Sequence, residues 1–221
     1  MKVALFGATG MIGSGALIEC MESADVNQVL SITRRPAGRQ HAKLKEVVHA
    51  DFLDYTTLAR ELAGTDVCFF CLGISAAGKS EEAYRRITFD FTVAAAQAVL
   101  DANPNATFIY ISGAGADSTG QGRIMWARVR GQLENHLMGM GLGGVYIFRP
   151  AYIQPLKDVA VSTAWYGNLY KVARPLYPLL KNFPRYVTST TQIGRALIRV
   201  ARDGHTQPIL ESRDINAVAD R

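Results

Sequence analysis

Three glycines near the N-terminus have the spacing of a loop that holds a phosphate group. Gly7, Gly10 and Gly13 follow the apolar run Val3–Phe6 and precede a segment whose apolar residues have helical spacing. The first glycine permits a tight turn, the second lets backbone approach a pyrophosphate, and the third lets helix pack on strand. The free N–H groups of the helix N-terminus favour an anion. The spacing predicts a dinucleotide site made by Gly7, Thr9, Gly10, Met11, Ile12 and Gly13, with a purely structural turn as the alternative.

The end of the second apolar run indicates which dinucleotide binds. An NAD site usually has Asp or Glu there, about 20 residues beyond the loop, to bind the ribose hydroxyls. Here the run ends in Thr33, Arg34 and Arg35, with no acid. A guanidinium pairs with a 2′-phosphate through forked hydrogen bonds, whereas an acid repels it. We therefore predict NADP(H) rather than NAD(H), with Arg34 as first contact and Arg35 as second. A solvated basic turn is the alternative.

Two further segments follow predicted strands, at the edge of the sheet where ligands bind in such folds. Asp51 and Phe52 follow the third strand, where adenine-edge contacts are expected. Cys71, Leu72 and Gly73 end the fourth, where backbone passes beneath the middle of the cofactor.

The cysteines do not form a recognisable metal or disulfide pattern. Cys68 and Cys71 make a C-x-x-C inside the apolar run VCFFCLGI, and Cys20 is the third cysteine. No second cysteine pair or nearby His completes a zinc shell, and an odd count argues against a disulfide framework. We predict a buried strand and no metal, with a redox or metal site as the alternative.

Strands and helices must alternate along the chain to position these residues. Continuous apolar runs typical of buried parallel strands occur at Val3–Phe6, Val29–Thr33, Val47–His49, Val67–Leu72, Thr107–Ser112, Val145–Phe148 and Pro208–Leu210. Helical spacing occurs at Met11–Met21, Tyr55–Leu62, Glu81–Leu100, Arg123–Met138 and Thr190–Ala201. The alternation predicts an α/β fold: one doubly wound Rossmann domain over 1–221, its mostly parallel sheet in the order 3-2-1-4-5-6-7.

One stretch, 154–186, interrupts this alternation. It contains four prolines and several aromatic residues, and proline at that density excludes one long helix. An irregular aromatic insertion late in an α/β domain is where a substrate lid is expected. The alternative is a packed surface excursion over the end of the sheet.

Composition excludes several classes of protein. The formal net charge of +5 is spread along the chain, whereas nucleic-acid binding favours a basic cluster on one element. No apolar run approaches the roughly 18 residues of a spanning helix. The first ten residues, MKVALFGATG, match neither a signal nor a transit peptide. We therefore expect a cytoplasmic protein with no transmembrane segment and no nucleic-acid partner.

The motifs together resemble the short-chain dehydrogenase/reductase superfamily, in its atypical branch and within that the Tat-interacting-protein-like group. The resemblance rests on GATGMIG, TRR, CLG, RITFDF, ISGAGAD, VRGQLE and FRPAYI. It implies a Rossmann sheet that binds NAD(P)(H). It also implies a catalytic Ser at the end of the fifth strand, where Ser112 lies, and a Tyr-x-x-x-Lys on the next helix.

The last part of that pattern is altered here. Alignment of VRGQLE with the family's run puts Arg130 in place of the Lys and Trp126 in place of the Tyr. Arg130 could still bind a ribose, but an indole cannot act as a general acid at neutral pH. Tyr152, after Pro150 near the expected nicotinamide, is the only nearby substitute donor, and packing under the lid is its alternative role.

Three functions are compatible with these residues. The first is an NADP(H)-dependent oxidoreductase or isomerase acting on a small apolar carbonyl compound, with a rearranged acid. The second is a cofactor-binding redox sensor that regulates a protein partner without turnover. The third is a reductase of flavin- or quinone-like acceptors, which take their proton from water.

Overall fold

The central feature of the fold is a parallel seven-stranded sheet. A computed structural model of the chain describes residues 1–157, 159 and 183–221. The strands, in chain order, are β1 Lys2–Phe6, β2 Gln28–Thr33, β3 Leu44–Val48, β4 Val67–Phe70, β5 Thr107–Ile111, β6 Gly144–Arg149 and, after two short strands, β9 Ile209–Glu211. Their order across the sheet is β3-β2-β1-β4-β5-β6-β9, and every adjacent pair is parallel. The predicted order and the Rossmann-like α/β class are confirmed.

Helices cover both faces of the sheet, as continuous apolar strands require. The helices are α1 Met11–Glu22, α2 Ala59–Leu62, α3 Glu81–Arg85, α4 Phe91–Ala102, α5 Met125–Met138, α6 Thr190–Asp203 and α7 Ser212–Ala219. One buried core lies between the sheet and α1, α6 and α7. The other lies between the sheet and α2, α4 and α5. The crossovers bring the carboxyl ends of all seven strands to one edge, where the candidate site lies.

Some elements differ from the sequence-based expectation. The predicted helix Glu81–Leu100 contains one π-helical turn, Arg86–Asp90, between α3 and α4. A second sheet pairs β7 Tyr152–Gln154 with β8 Val187–Ser189, and it was missed because neither strand is a continuous apolar run. Helix α7 was missed because its eight residues make only about two turns. Most of the predicted lid, residues 158 and 160–182 of 154–186, lies outside the described residues.

The C-x-x-C pair is separated by the sheet itself. Cys68 is fully buried in the core beneath α4, whereas Cys71 packs against the opposite core beneath α1. Residues three apart on an extended chain point to opposite faces, so the two thiols do not face each other. Among the described residues, no three His, Cys, Asp or Glu side chains are grouped as metal ligands. In the same part of the chain, no helix has the length and apolar character to cross a bilayer.

Candidate functional site

Two glycines of the N-terminal loop are required by the fold. Gly7 has a φ of +81°, and a Cβ there would lie 2.8 Å from the Cys71 carbonyl carbon and 2.8 Å from the Leu72 nitrogen. A Cβ on Gly13 would lie 2.1 Å from the Gly7 carbonyl oxygen. Both contacts are far inside van der Waals distance. They fix β1, the end of β4 and the first turn of α1 close together.

Gly10 is different, because the fold leaves space beside it. It is the N-cap of α1 with a φ of −86° and a ψ of 168°, and a Cβ there would meet only the Gly7 carbonyl oxygen, at 3.3 Å. No side chain caps the helix, and its first turn has no acidic residue. Exposed Thr9 and half-buried Met11 and Ile12 surround it. An uncapped helix N-terminus beside open space fits the pyrophosphate of a dinucleotide.

The end of β2 presents two free cations to the same edge. Arg34 and Arg35 are both exposed. Neither forms a hydrogen bond or an ion pair with any residue of the described part of the chain. The nearest acid in the neighbouring strand, Glu46, accepts from the Ala37 backbone N–H at 2.8 Å. The strand end is therefore positive, with no acid in the place where ribose hydroxyls would bind.

Asp51 and Phe52, the residues predicted to contact the adenine edge, differ in which of their atoms are accessible. Asp51 is exposed, and its Oδ1 accepts from the Leu53 N–H at 2.9 Å. The Phe52 ring is buried against Phe91, with 5.8 Å between centroids, so only its backbone is available to an adenine. Cys71 and Leu72 line the loop through the backbone beneath Gly7. A Cβ on Gly73 would meet nothing within 4 Å.

Helix α5 brings Trp126 and Arg130 against the loop after β5. Gly131 permits the close approach, because a Cβ there would lie 1.6 Å from the Asp117 carbonyl oxygen. Trp126 is half-buried, and its ring lies 3.4 Å from the Cβ position of Gly115. The Arg130 Nη1 lies 3.0 Å from the Cβ position of Gly113. The indole and the guanidinium therefore occupy neighbouring places along one wall of the site.

Arg130 is held by a tyrosine that the sequence did not suggest. Its Nε donates to the Tyr84 hydroxyl at 2.9 Å, which is the single hydrogen bond it makes within the described residues. Desolvation by burial lowers the pKa of Arg130, but the hydroxyls of Tyr110 and Tyr84 and the Glu134 carboxylate raise it more, so the net shift is upward. The guanidinium stays charged, and its two Nη groups make no hydrogen bond with any described residue.

Ser112, the predicted catalytic serine, belongs to a buried polar network. Its hydroxyl donates to Glu134, which is fully buried on α5. Arg149, at the end of β6, donates to the same carboxylate through Nη2, and through Nε at 3.1 and 3.2 Å. Arg149 Nη2 also donates to the Ser118 Oγ at 2.7 Å. Glu134 and Arg149 were not singled out from sequence, although both lie inside motifs, VRGQLE and FRPAYI, that were.

Tyr152 and Pro150 lie beyond the end of β6. The Tyr152 hydroxyl donates to the Gln154 side-chain oxygen at 3.0 Å, and its backbone N–H donates to the Tyr186 carbonyl at 2.9 Å. The buried Pro150 carbonyl accepts from Ala114 at 3.0 Å, which joins the loops after β5 and β6. Tyr152 is thus fixed in the small second sheet, and Pro150 forms the floor between the two loops.

The chain matches a family of known proteins and several fungal relatives. The family model described as NAD(P)H-binding matches residues 7–139. A fungal relative, Protein FMP52, mitochondrial, from Meyerozyma guilliermondii, is 25% identical over 99% of this chain and 95% of its own length. The protein of the same name from Aspergillus clavatus is 30% identical over 71% of this chain and 68% of its own.

Solved structures show the same fold. An oxidoreductase of the short-chain dehydrogenase/reductase family from Burkholderia thailandensis has a TM-score of 0.70 and 19% identity, covering 98% of this chain and 92% of that one. DesIV, a dTDP-glucose 4,6-dehydratase from Streptomyces venezuelae solved with NAD, has a TM-score of 0.67 and 18% identity, covering 99% and 80%. The predicted Rossmann-like fold and the predicted NAD(P)H-binding family are confirmed.

The expectation of a cytoplasmic location is wrong, as the comparison with the fungal sequence relatives shows. The fungal relatives are named as mitochondrial proteins. The expectation rested on the residue pattern of MKVALFGATG, and that pattern describes the first strand and loop of the fold rather than a compartment.

Proposed function

Because the chain belongs to the NAD(P)H-binding family and has the fold of a short-chain dehydrogenase/reductase, we propose that it is an NADP(H)-dependent reductase of a planar acceptor, a quinone or a flavin. The observation that carries the proposal is Trp126 beside Arg130 on α5, where the superfamily has its Tyr and Lys. Trp126 offers a flat apolar face and Arg130 a fixed positive charge. Neither offers a transferable proton at neutral pH.

The preference for NADP(H) rests on the end of β2. Arg34 and Arg35 are exposed and, among the described residues, unpaired, so their donors are available to a 2′-phosphate. One charge-assisted hydrogen bond contributes about 1.5–3 kcal/mol, which corresponds to roughly 10- to 100-fold in affinity. We expect Arg34→Ala to remove most of the NADPH preference in calorimetry. Arg60→Ala is the matched control, since Arg60 is exposed on α2, away from this edge.

The choice of acceptor follows from the missing acid. A bound nicotinamide supplies the hydride, and reduction leaves negative charge on the acceptor. Arg130 would offset that charge, because its guanidinium lies beside Gly113 in the loop after β5, with Nη1 3.0 Å from the Cβ position of that glycine. A reduced quinone or flavin is stable as an anion and takes its proton from water, whereas a simple ketone needs a donor in the site. Tyr152 is the remaining candidate donor for the carbonyl chemistry, and Tyr152→Phe tests it.

The deciding experiment follows NADPH oxidation with a panel of quinones, flavins and small carbonyl compounds. We expect kcat/KM for the best planar acceptor to exceed that for any carbonyl compound by about 10² or more, the scale of a missing general acid. A second candidate, a non-catalytic NADP(H) sensor, is favoured by the commitment of the Ser112 hydroxyl to Glu134. Tight NADPH binding with no turnover across the panel would favour that sensor.

A further inference from the structure

The Ser112 hydroxyl is oriented by groups buried behind it. Ser112 directly follows β5 at the ligand-binding edge, and it is 6% exposed. Its Oγ is hydrogen-bonded to the Glu134 carboxylate. Arg149 approaches the same carboxylate with two nitrogens, and Arg149 is itself only 9% exposed. Desolvation lowers the pKa of Arg149, but its contacts with Glu134 and, to a smaller extent, with Glu211 together outweigh that effect, and the net shift is upward.

In the hydrogen bond between Ser112 and Glu134, Ser112 must be the donor and Glu134 the acceptor. The Glu134 carboxylate accepts hydrogen bonds from Arg149 through both of its oxygens, and a carboxylate paired with an arginine has no proton to donate. A serine hydroxyl has one proton. Because Ser112 donates that proton to Glu134, its oxygen can interact with another group only through its two lone pairs. Any further group that meets this oxygen must therefore be a donor.

We infer that Ser112 is a hydrogen-bond acceptor in the substrate site, with Glu134 and Arg149 as positioning residues, and that the substrate presents an N–H or O–H to it. This is a specificity determinant, and it rests on the proposed function. It reverses the polarity expected of a serine that donates to a substrate carbonyl.

The neighbouring side chains define the rest of the ligand. Arg130 lies one helical turn from Glu134 and presents only donors, beside Gly113. Trp126, one turn further, presents an aromatic face. The wall therefore offers a flat surface, a donor and an acceptor in adjacent places. A planar heterocycle with an imide edge, in which N–H lies beside C=O, matches all three. A plain quinone, which has acceptors only, matches two.

The reaction that follows is balanced without a further reactant. The hydride, one proton with two electrons, passes from NADPH to N5 of an isoalloxazine ring. NADP⁺ and an anionic reduced flavin form, and water protonates N1 of the anion. Ser112 and Arg130 hold the imide edge and take no part in the bond changes.

A matched pair of acceptors tests the inference: lumiflavin, which carries N3–H, and 3-methyllumiflavin, which does not. We expect kcat/KM for lumiflavin to be about 10-fold higher with the unmutated protein, the scale of one hydrogen bond to a buried partner. Equal values would overturn the inference while leaving the proposed function standing.

Three variants separate hydrogen bonding from the bulk of the methyl group. In Glu134→Gln the amide oxygen accepts from Arg149 and the amide N–H donates to Ser112, so the hydroxyl proton turns into the site. The lumiflavin preference should fall to about 1. Ser112→Ala removes the acceptor and keeps the Glu134–Arg149 pair, so the lumiflavin preference should again fall to about 1. This variant tests the inference even if Glu134→Gln does not fold. Ser118→Ala is the control, because it removes a partner of Arg149 without touching Ser112, and it should keep the preference. A preference retained in Ser112→Ala is steric and overturns the inference.

Failure of the proposed function is a separate outcome. If the unmutated protein reduces neither flavin, the binding of the same pair to the NADP⁺ complex is measured by fluorescence quenching. Tighter binding of lumiflavin that is lost in Ser112→Ala supports the acceptor role without turnover. Equal binding of the two flavins overturns it.

Discussion

Replacement of glycine by alanine should affect stability at one position of the N-terminal loop, Gly13, and cofactor affinity at another, Gly10. In Gly13→Ala the new methyl group would lie 2.1 Å from the Gly7 carbonyl oxygen and 2.6 Å from its carbon. Both atoms are backbone, so α1 must move away from β1. Overpacking of this kind costs typically 1–3 kcal/mol and occasionally more. We expect the free energy of unfolding to fall by about 3 kcal/mol.

Gly10→Ala should leave the fold intact and remove cofactor. Its backbone conformation is open to any residue, and the new Cβ would contact one atom, the Gly7 oxygen, at 3.3 Å. Alanine reduces the conformational entropy of the unfolded chain, which stabilises the fold by about 0.4–1 kcal/mol, but alanine is a poor N-cap. The free energy of unfolding should therefore change by less than about 1 kcal/mol. The methyl group stands where a pyrophosphate approaches the helix. Loss of one charge-assisted bond from a backbone N–H lowers affinity roughly 10- to 100-fold.

Urea unfolding and calorimetric titration with NADPH measure both quantities on each variant. The glycine assignment is confirmed if Gly10→Ala unfolds like the unmutated protein and binds NADPH weakly. A stable Gly10→Ala protein with unchanged NADPH affinity would remove the loop from the cofactor site. A Gly13→Ala protein of normal stability would refute the packing argument.

Three further predictions concern α5 and the buried thiols. The double variant Trp126→Tyr with Arg130→Lys should raise the rate of NADPH-dependent reduction of an activated ketone by about 10²–10⁴-fold, because it restores a general acid. The prediction is refuted if the unmutated protein already reduces the ketone rapidly and Trp126→Phe abolishes that activity. Glu134→Ala should lower the unfolding free energy in urea by about 3 kcal/mol, because buried Arg149 would keep only the Ser118 hydroxyl and the more distant Glu211 carboxylate, at 3.7 Å, as partners. The exposed Glu22→Ala should cost less than about 1 kcal/mol, and similar losses in the two variants would refute the difference. Cys20 and Cys68 are fully buried, and Cys71 is half-buried with a pKa that burial raises to about 12. None of the three thiols should therefore react quickly with a disulfide reagent at pH 8 before unfolding, and fast labelling of Cys20 or Cys68 in the native protein would contradict their burial.

The strand and glycine patterns were sufficient to predict most of the fold. Four of the seven main strands, β1, β2, β4 and β5, are buried along all or all but one of their residues. The order of the strands follows from right-handed crossovers in a doubly wound sheet. The edge strand β3 was placed three residues late, because exposed Lys45 and half-buried Glu46 hide its apolar pattern. Strands β7 and β8 are not continuous apolar runs, and the eight residues of α7 make only about two turns, so periodicity does not identify these elements.

What the sequence determined by itself is local: the glycine loop, the acid-free end of β2, and the absence of Tyr and Lys from α5. Each depends on neighbouring residues along the chain, so spacing alone reveals it. The tertiary structure alone decided that Ser112 donates to Glu134, that Arg149 fixes that carboxylate, and that Tyr84 holds Arg130. These partners lie 15 to 46 residues apart in the chain. The direction of a hydroxyl proton depends on which groups the fold brings into contact, and a linear pattern does not contain that information.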